Sequence, residues 1–336
     1  MAETATTVTA ATAVTTDILV VGAGPVGLFG AYCAGFRELR TVLVDALPQV
    51  GGQITALYPE KEIRDIAAVP GARGRDVVAA LKAQADAFDP VYLLGRQAVE
   101  LARSPDGRPQ VTLSDGTVVD AGAVVLTAGI GAFTARTLPA GEEFLGRGLS
   151  YFVPAPDDHA DQDVLVVGGG DSAVDWALAL HPIARSVTLV HRRGTFRAHA
   201  ASVREVRERG VEIVTEAQVE ALLGDERLRL AHLRVDGEDE VRVLKVDAVV
   251  AALGFISNLG PLADWGVELD RRSIVVDSRM RTAVDRVYAA GDITAYPGKV
   301  KLMSVGFGEV ATAVNNAAVA LDPAQSLFPG HSTESA

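Results

Sequence analysis

A glycine-rich turn that occurs twice constrains the fold of this chain more than any other feature. The first copy, Gly22-Ala-Gly24-Pro25-Val-Gly27, follows a buried-strand pattern over 17–22 and precedes a helical stretch over 28–35. Gly22 permits the tight turn, Gly24 lets a pyrophosphate approach the backbone, and Gly27 allows close helix packing. The helix N-terminus favours negative charge. This context indicates a dinucleotide-binding unit rather than a purely structural turn.

The second copy, Gly168-Gly-Gly170-Asp171-Ser172-Ala173, lies between a strand pattern over 163–167 and a helical stretch. Each copy leads into another strand, and the residue 23 positions after the first glycine is Asp45 in one case and His191 in the other. A carboxylate there accepts hydrogen bonds from ribose hydroxyls and repels a 2′-phosphate. Guanidinium groups bind such a phosphate through charge-assisted, bidentate hydrogen bonds.

Arginines follow the second of these strands. Arg192 and Arg193 come directly after His191, and Arg197 lies a few residues further on. We therefore predict that the first unit binds a nucleotide with a free 2′-hydroxyl and that the second binds NADP(H). Two interpretations stay open at this point. The arginines also fit a solvated helix face, and His191 fits either an adenine or phosphate contact or a hydrogen-bonded structural residue.

A third motif near the C-terminus assigns the first unit to FAD. A short strand over 286–290 ends in Gly291 and Asp292, ahead of a long helical stretch. An aspartate here can contact a ribityl hydroxyl or the flavin phosphate, with a helix N-terminus directed at the flavin. A plain turn aspartate is the alternative. FAD binding would then use both ends of the chain, with the NADP(H) unit inserted between them.

We accordingly predict an α/β fold with two Rossmann-like, three-layer nucleotide-binding domains. The predicted parts are a disordered N-terminal extension over 1–16, an FAD-binding domain over 17–129 and 255–336, and an inserted NADP(H)-binding domain over 130–254.

The net charge, the apolar content and the cysteine count of the chain argue against several other classes of protein. A formal net charge of −12 argues against nucleic-acid binding. The segment 1–16 lacks the basic and apolar regions of a signal peptide, and no apolar run approaches the roughly 20 residues that cross a bilayer. We therefore expect a cytoplasmic protein without membrane attachment. Cys33 is the single cysteine, which excludes an internal disulfide and a Cys-x-x-Cys centre. We name no metal site.

From about residue 17 to 333 the chain resembles the thioredoxin-reductase-like ferredoxin/flavodoxin–NADP reductases of bacteria. The motifs that carry the resemblance are Gly51-Gly52-Gln53, Ala56-Leu-Tyr58-Pro-Glu-Lys, Gly168-Gly-Gly-Asp-Ser-Ala-Val-Asp-Trp-Ala, His191-Arg-Arg with Phe196-Arg-Ala-His, Gly298-Lys-Val-Lys-Leu, Gly306-Phe-Gly-Glu, Asn315-Asn316 and His331-Ser-Thr. Thioredoxin reductases proper carry a Cys-x-x-Cys just before the second turn, whereas residues 151–156 here contain no cysteine.

The resemblance implies a homodimer that moves a hydride from NADPH to FAD and then single electrons to ferredoxin or flavodoxin. It adds Gly52 and Gln53 to the FAD site and implies that Tyr58 stacks on one flavin face. His331, from the C-terminal tail of the partner subunit, would cover the other face, with Ser332 beside it. No side chain is expected to act as a general acid or base, because the cofactors supply the chemistry.

Two other functions remain possible at this point. One is an NADPH diaphorase that reduces quinones or oxygen, and the other is a non-catalytic flavin-based redox sensor. Ferredoxins are usually acidic, so docking requires a local basic surface, for which Lys299 and Lys301 are candidates.

Overall fold

The computed structural model describes residues 13–330. By its internal contacts the chain divides into two compact units. The first consists of Met1–Ala132 and Ser257–Ala336, and the second of Phe133–Ile256.

The first segment of unit one alternates strands with helices. Its elements are β1 (Ala13–Val21), α1 (Pro25–Phe36), β2 (Thr41–Asp45), α2 (Gly52–Leu57), β3 (Glu62–Ile63), β4 (Ala72–Arg73), α3 (Gly74–Asp86), β5 (Val91–Leu94), β6 (Ala98–Arg103), β7 (Pro109–Leu113) and β8 (Val118–Leu126). β1 pairs in parallel with β2 and with β8, and β5 pairs in parallel with β2. β7 and β6 continue the sheet beyond β8 as antiparallel strands. Residues 18–21 of β1 are buried without alternation, as is usual in a parallel sheet covered on both faces.

The predicted disordered extension over 1–16 is wrong for its last four residues. β1 begins at Ala13, and Ala13–Thr16 pair in register with Val118–Ala121 of β8. The alternating Thr, Val and Ala residues suit a strand, and pairing with β8 satisfies their backbone hydrogen bonds. Thr16 is fully buried, and its hydroxyl donates to Arg40 O at 2.7 Å.

Unit two is built around a five-stranded parallel sheet. Its elements, the first of which begins at the last residue of unit one, are β9 (Ala132–Ala135), a 3₁₀ turn (Glu142–Phe144), β10 (Leu149–Ser150), a 3₁₀ turn (Pro156–His159), β11 (Asp163–Val167), α4 (Asp171–Leu180), β12 (Ser186–His191), α5 (Ala200–Glu208), β13 (Glu212–Thr215), β14 (Ala217–Gly224), β15 (Leu228–Val235), β16 (Arg242–Lys245) and β17 (Ala248–Ala251). The parallel sheet has the order β10-β17-β11-β12-β13, and β14, β15 and β16 form a separate antiparallel sheet.

The two sheets of unit two pack face to face. Leu165 and Val190 of the parallel sheet share a core cluster with Leu222 and Leu233 of the antiparallel sheet. Successive residues of a strand point to opposite faces, so the buried Val164 and Val166 face away from this cluster, toward the helical side. Helices, parallel sheet and antiparallel sheet therefore form three layers.

The chain then returns to unit one and completes its sheet. The elements, the first of which begins in the last two residues of unit two, are β18 (Phe255–Asn258), a 3₁₀ turn (Gly260–Asp264), β19 (Leu269–Asp270), β20 (Ser273–Val275), β21 (Val287–Ala289), β22 (Thr294–Ala295) and α6 (Met303–Leu321). β21 pairs in parallel with the end of β8, beyond the residues that pair with β7. α6 packs closely on α1, because a Cβ on Gly30 would lie 2.7 Å from Val310 Cγ2.

The predicted α/β class is confirmed, with parallel strands at the centre of the main sheet of each unit. Within residues 13–330, no helix combines the length and the apolar character that a bilayer crossing demands.

Candidate functional site

The first glycine turn connects β1 to α1 and is fixed by backbone packing. Gly22 N donates to Val44 O at 2.8 Å, and Gly22 O accepts from Thr127 Oγ1 at 2.7 Å. Gly22 has a φ of +111°, and a Cβ there would lie 2.6 Å from Thr127 O. A Cβ on Gly27 would lie 1.8 Å from Gly22 O. The fold itself therefore requires glycine at both positions.

Gly24 is different, because the fold does not need a glycine there. Its φ is −72°, and the nearest heavy atom to an added Cβ is Gly52 Cα, 3.9 Å away. Gly24 is the N-cap of α1, no side chain caps this helix, and Pro25 follows as the first helical residue. Free N–H groups beside open space are what a pyrophosphate requires. The geometry of the turn thus fits a dinucleotide.

Asp45 ends β2 beside this turn. Its Oδ2 accepts from Ala23 N at 2.7 Å and its Oδ1 accepts from Leu47 N at 2.8 Å. Burial raises the pKa of this carboxyl, and the two hydrogen bonds oppose the rise. Each oxygen keeps a lone pair, so the carboxylate can also accept from ribose hydroxyls. The structure therefore brings Asp45 to the first turn, as predicted.

Helix α2 lies against the same turn. Gly51 N donates to Ala23 O at 2.8 Å, and a Cβ on Gly52 would lie 3.1 Å from Gly24 Cα. Gln53 is the next residue of α2 and is half-buried. Gly52 and Gln53 are thus held at the first turn, where the resemblance placed them.

Tyr58 follows α2 and is half-buried. Burial raises the pKa of its phenol, and the nearby negative charges of Asp292 and Asp65 raise it further. Asp292 follows the β21 turn, and its carboxylate has no hydrogen bond or ion pair among residues 13–330. The structure therefore leaves a free carboxylate near Tyr58.

The second glycine turn joins β11 to α4 and repeats the geometry of the first. Gly168 N donates to Val190 O at 2.9 Å, and a Cβ on Gly168 would lie 2.4 Å from Ala252 O and 2.8 Å from Ala173 Cβ. Gly170 is the N-cap of α4, with a φ of −99°, no side-chain cap, and no atom within 4 Å of an added Cβ. Gly170 therefore corresponds to Gly24 as an open, uncapped helix start. Ser172 is exposed at the same end of α4.

Arg192, Arg193 and Arg197 surround the end of β12. All three side chains are exposed, and none has a hydrogen bond or ion pair within the described part of the chain. Burial lowers the pKa of His191, and the positive charges of these three arginines lower it further. Three unpaired guanidinium groups beside an open helix N-terminus suit a phosphate.

His191 occupies a packing position. It is 8% exposed, and its ring stacks on Phe196 with the ring centroids 5.1 Å apart. A Cβ on Gly169 would lie 2.1 Å from His191 Cε1, so the ring covers that glycine. His191 Nε2 is buried and has no partner among residues 13–330. A nucleotide contact for His191 stays a prediction. The sequence did not indicate that Gly169 and Phe196 pack against its ring, although both residues lie in motifs that carry the resemblance.

The loop that carries the arginines is attached to the second turn. Gly169 O accepts from Arg197 N at 2.8 Å, and Asp171 Oδ1 accepts from His199 N at 2.8 Å. One carboxylate oxygen of Asp171 therefore binds the backbone of the arginine loop, a role that the sequence did not indicate. The arrangement places Arg197 against the start of α4.

The remaining residues that were predicted near the flavin or its docking surface differ in what the structure shows of them. His331 and Ser332 lie outside the described residues. The proposal of Lys299 for an exposed basic surface is wrong, because its side chain is 8% exposed and its Nζ pairs with the carboxylate of Glu309. Lys301 is exposed. The sequence held no signal for the burial of Lys299, since its partner lies on a helix ten positions later.

The comparisons with known proteins agree with this geometry. A family model described as pyridine nucleotide-disulphide oxidoreductase matches residues 16–318. A ferredoxin–NADP reductase of Salinispora arenicola is 59% identical over 318 residues, which cover 95% of this chain and 98% of that protein. A protein of the same name from Frankia alni is 59% identical over 316 residues, which cover 94% and 98%.

Solved structures share the fold. The thioredoxin reductase of T. acidophilum has a TM-score of 0.79 at 24% identity and covers 93% of this chain and 99% of its own. At that identity the likeness concerns the fold alone. The sequence matches are far stronger and extend over almost the whole chain. The chain belongs to the pyridine nucleotide-disulphide oxidoreductase family and groups there with relatives named ferredoxin–NADP reductase.

Proposed function

We propose that this chain is an NADPH-dependent flavoprotein oxidoreductase that passes electrons through FAD to ferredoxin or flavodoxin. The observation that carries the proposal is the opposite charge beside two otherwise matching turns. A carboxylate, Asp45, lies beside the open helix start at Gly24. Three unpaired guanidinium groups lie beside the open helix start at Gly170. The names of the relatives support NADP(H) as one of the two nucleotides.

FAD is assigned to unit one. The N-terminus of α1 would hold its pyrophosphate, Asp45 a ribose hydroxyl, and Asp292 a ribityl hydroxyl or phosphate. Tyr58 would stack on the isoalloxazine and exclude water from that face. The full proposed set is Gly22, Gly24, Pro25, Gly27, Asp45, Gly52, Gln53, Tyr58 and Asp292. When bound, the flavin accepts a hydride from NADPH and releases electrons singly.

NADP(H) is assigned to unit two. The exposed start of α4 would hold the pyrophosphate, and Arg192 and Arg193, with Arg197, would bind the 2′-phosphate. The full proposed set is Gly168, Gly170, Asp171, Ser172, Ala173, His191, Arg192, Arg193 and Arg197. His191 would act by supporting the loop through Phe196, given its buried position.

The hydrogen bond that attaches the arginine loop to Asp171 predicts different KM values for alanine and asparagine variants at this position. Asp171→Ala removes the acceptor for His199 N and is expected to raise the KM for NADPH about fivefold, since one hydrogen bond contributes about 1 kcal/mol. Asp171→Asn keeps a carbonyl acceptor and is expected to stay within about twofold of the wild type. Steady-state kinetics measure both. Equal KM values for the alanine and asparagine variants would contradict this role for the hydrogen bond.

No thiol is proposed to take part. Cys33 packs half-buried against the core, and burial raises the pKa of its thiol to about 12. The group is therefore protonated at neutral pH and is a poor nucleophile. Since no second cysteine exists, the electrons cannot pass through an internal disulfide, and we propose that they leave directly from the flavin to an external acceptor.

The assembly is part of the same proposal. We propose a cytoplasmic homodimer in which the tail residues His331 and Ser332 of one subunit cover the flavin of the other. Ferredoxin is the favoured acceptor, because the relatives that match 94–95% of the chain carry it in their names. The exposed Lys301 remains a candidate for contact with an acidic partner.

Stopped-flow spectroscopy of the purified protein tests the function. NADPH is expected to bleach the flavin absorbance near 450 nm, on the order of seconds or faster for a typical turnover, and ferredoxin is expected to restore it just as quickly. Cys33→Ala is expected to leave both phases unchanged, because the thiol is not used. Rapid reoxidation by quinones or oxygen, together with slow reoxidation by ferredoxin and flavodoxin, would contradict the proposal in favour of a diaphorase.

A further inference from the structure

A buried ion pair lies behind the turn that carries Asp292. Glu309 of α6 and Lys299 of the preceding loop have side chains 4% and 8% exposed, and Glu309 Oε1 pairs with Lys299 Nζ. Tyr296 OH donates to the same oxygen at 2.5 Å, and Lys299 Nζ lies 5.5 Å from the centroid of the Tyr296 ring. Removing two charges from water is costly, so such a pair is weak evidence for stability alone. It points to a specific structural task.

That task is visible at the second carboxylate oxygen. Glu309 Oε2 accepts from Gly291 N at 2.7 Å. Gly291 is buried with a φ of +84°, and its carbonyl accepts from Thr294 N and Thr294 Oγ1 at 3.1 and 2.8 Å. One residue earlier, Ala290 N donates to Leu126 O at 2.9 Å. The backbone immediately before Asp292 is therefore held by the sheet on one side and by the Glu309 carboxylate on the other.

We propose that Glu309, held by Lys299 and Tyr296, is a positioning residue for the flavin. It fixes the N–H of Gly291 and thereby sets the place of the Asp292 carboxylate. Asp292 depends on this support, because its own carboxylate has no partner within the described residues. A charged acceptor holds an N–H more firmly than a neutral one. The inference rests on the proposed function, since it assumes that FAD binds at the first turn.

Two double variants separate the effect of the hydrogen bond to Gly291 N from the effect of the two buried charges. Glu309→Gln with Lys299→Met removes both buried charges and keeps a carbonyl acceptor for Gly291 N. Glu309→Leu with Lys299→Met removes both charges and the acceptor. The second is expected to release FAD from the holoprotein at least about tenfold faster than the first, because only it loses the Gly291 hydrogen bond. The rate is measured as free FAD that passes an ultrafiltration membrane after dilution.

Asp120→Asn is the matched control. Asp120 forms an ion pair with Arg108 in the same unit, but it lies on β8 six residues before Leu126, about 20 Å along the strand from this turn. The control is expected to lower the Tm while FAD release stays at the wild-type rate. Equal release rates in the two double variants would overturn the inference.

Tyr296→Phe keeps the test decisive if the leucine double variant does not fold. It removes one hydrogen bond to Glu309, keeps the ion pair, and is expected to speed FAD release about threefold. Release at the wild-type rate would overturn the inference. A wild-type protein that binds no FAD would instead refute the proposed function, so the two failures are distinguishable.

Discussion

Replacement of both Arg192 and Arg193 by alanine is expected to abolish the preference for NADPH over NADH. Charge-assisted hydrogen bonds to a 2′-phosphate contribute about 1.5–3 kcal/mol each. Loss of two is expected to lower kcat/KM for NADPH at least about 100-fold, with little change for NADH. The effect should fall mainly on KM, because the 2′-phosphate is remote from the transferred hydride and binds equally in the ground and transition states.

Arg204 and Arg207 provide the control for this experiment. Both are exposed on α5 of the same unit, so their double replacement by alanine removes the same charge without touching the end of β12. It is expected to leave the NADPH/NADH ratio within about twofold of the wild type. The proposed role of Arg192 and Arg193 would be refuted if their loss left the ratio unchanged. An equal fall of the NADPH/NADH ratio in the control variant would show that only the overall electrostatic potential of unit two matters.

The sequence was sufficient to predict the two turns, because the glycine motif lies both times between a strand pattern and a helical stretch. A Cβ on Gly27 would meet Gly22 O within the turn itself, whereas a Cβ on Gly22 would meet Thr127 O, which follows the distant strand β8. Asp45 was also predictable, since the end of a neighbouring parallel strand lies at the same edge of the sheet. The fold class and the two turns were therefore predictable from the glycine motifs and the strand and helix patterns around them.

Residues that depend on distant partners were not predictable in the same way. Lys299 looked like a surface lysine, and only its contact with Glu309 on α6 shows that it is buried. His191 fitted either a nucleotide contact or a structural residue, and the sequence did not show that its ring packs on Gly169 and Phe196. Residues 13–16 looked like the end of a disordered tail, and only pairing with β8 orders them. In each case the structure shows a packing or pairing contact that the residue's own sequence motif did not indicate.

Valine substitutions at Gly24 and Gly170 are expected to separate the two nucleotide sites. Both glycines are helix N-caps with negative φ, and an added Cβ meets nothing closer than 3.9 Å at Gly24 and nothing within 4 Å at Gly170. Folding should cost only about 1 kcal/mol at either position, because valine is a poor N-cap. Gly24→Val is expected to purify colourless, with FAD affinity at least about 100-fold lower, since the side chain fills the space for the pyrophosphate.

Gly170→Val is expected to behave in the opposite way: it should retain FAD fully and resist reduction by NADPH. Flavin absorbance per chain, stopped-flow reduction and thermal unfolding measure the three properties, and each variant is the control for the other. Loss of FAD from Gly170→Val with retention in Gly24→Val would reverse the assignment of the units. Gly22 and Gly27 could not serve in this test, because a Cβ at either meets backbone atoms and would disturb folding and binding together. At Gly24 and Gly170 the space beside the backbone is open for an added Cβ. A loss of FAD binding or of reduction by NADPH in these variants therefore reports on the contact with the nucleotide.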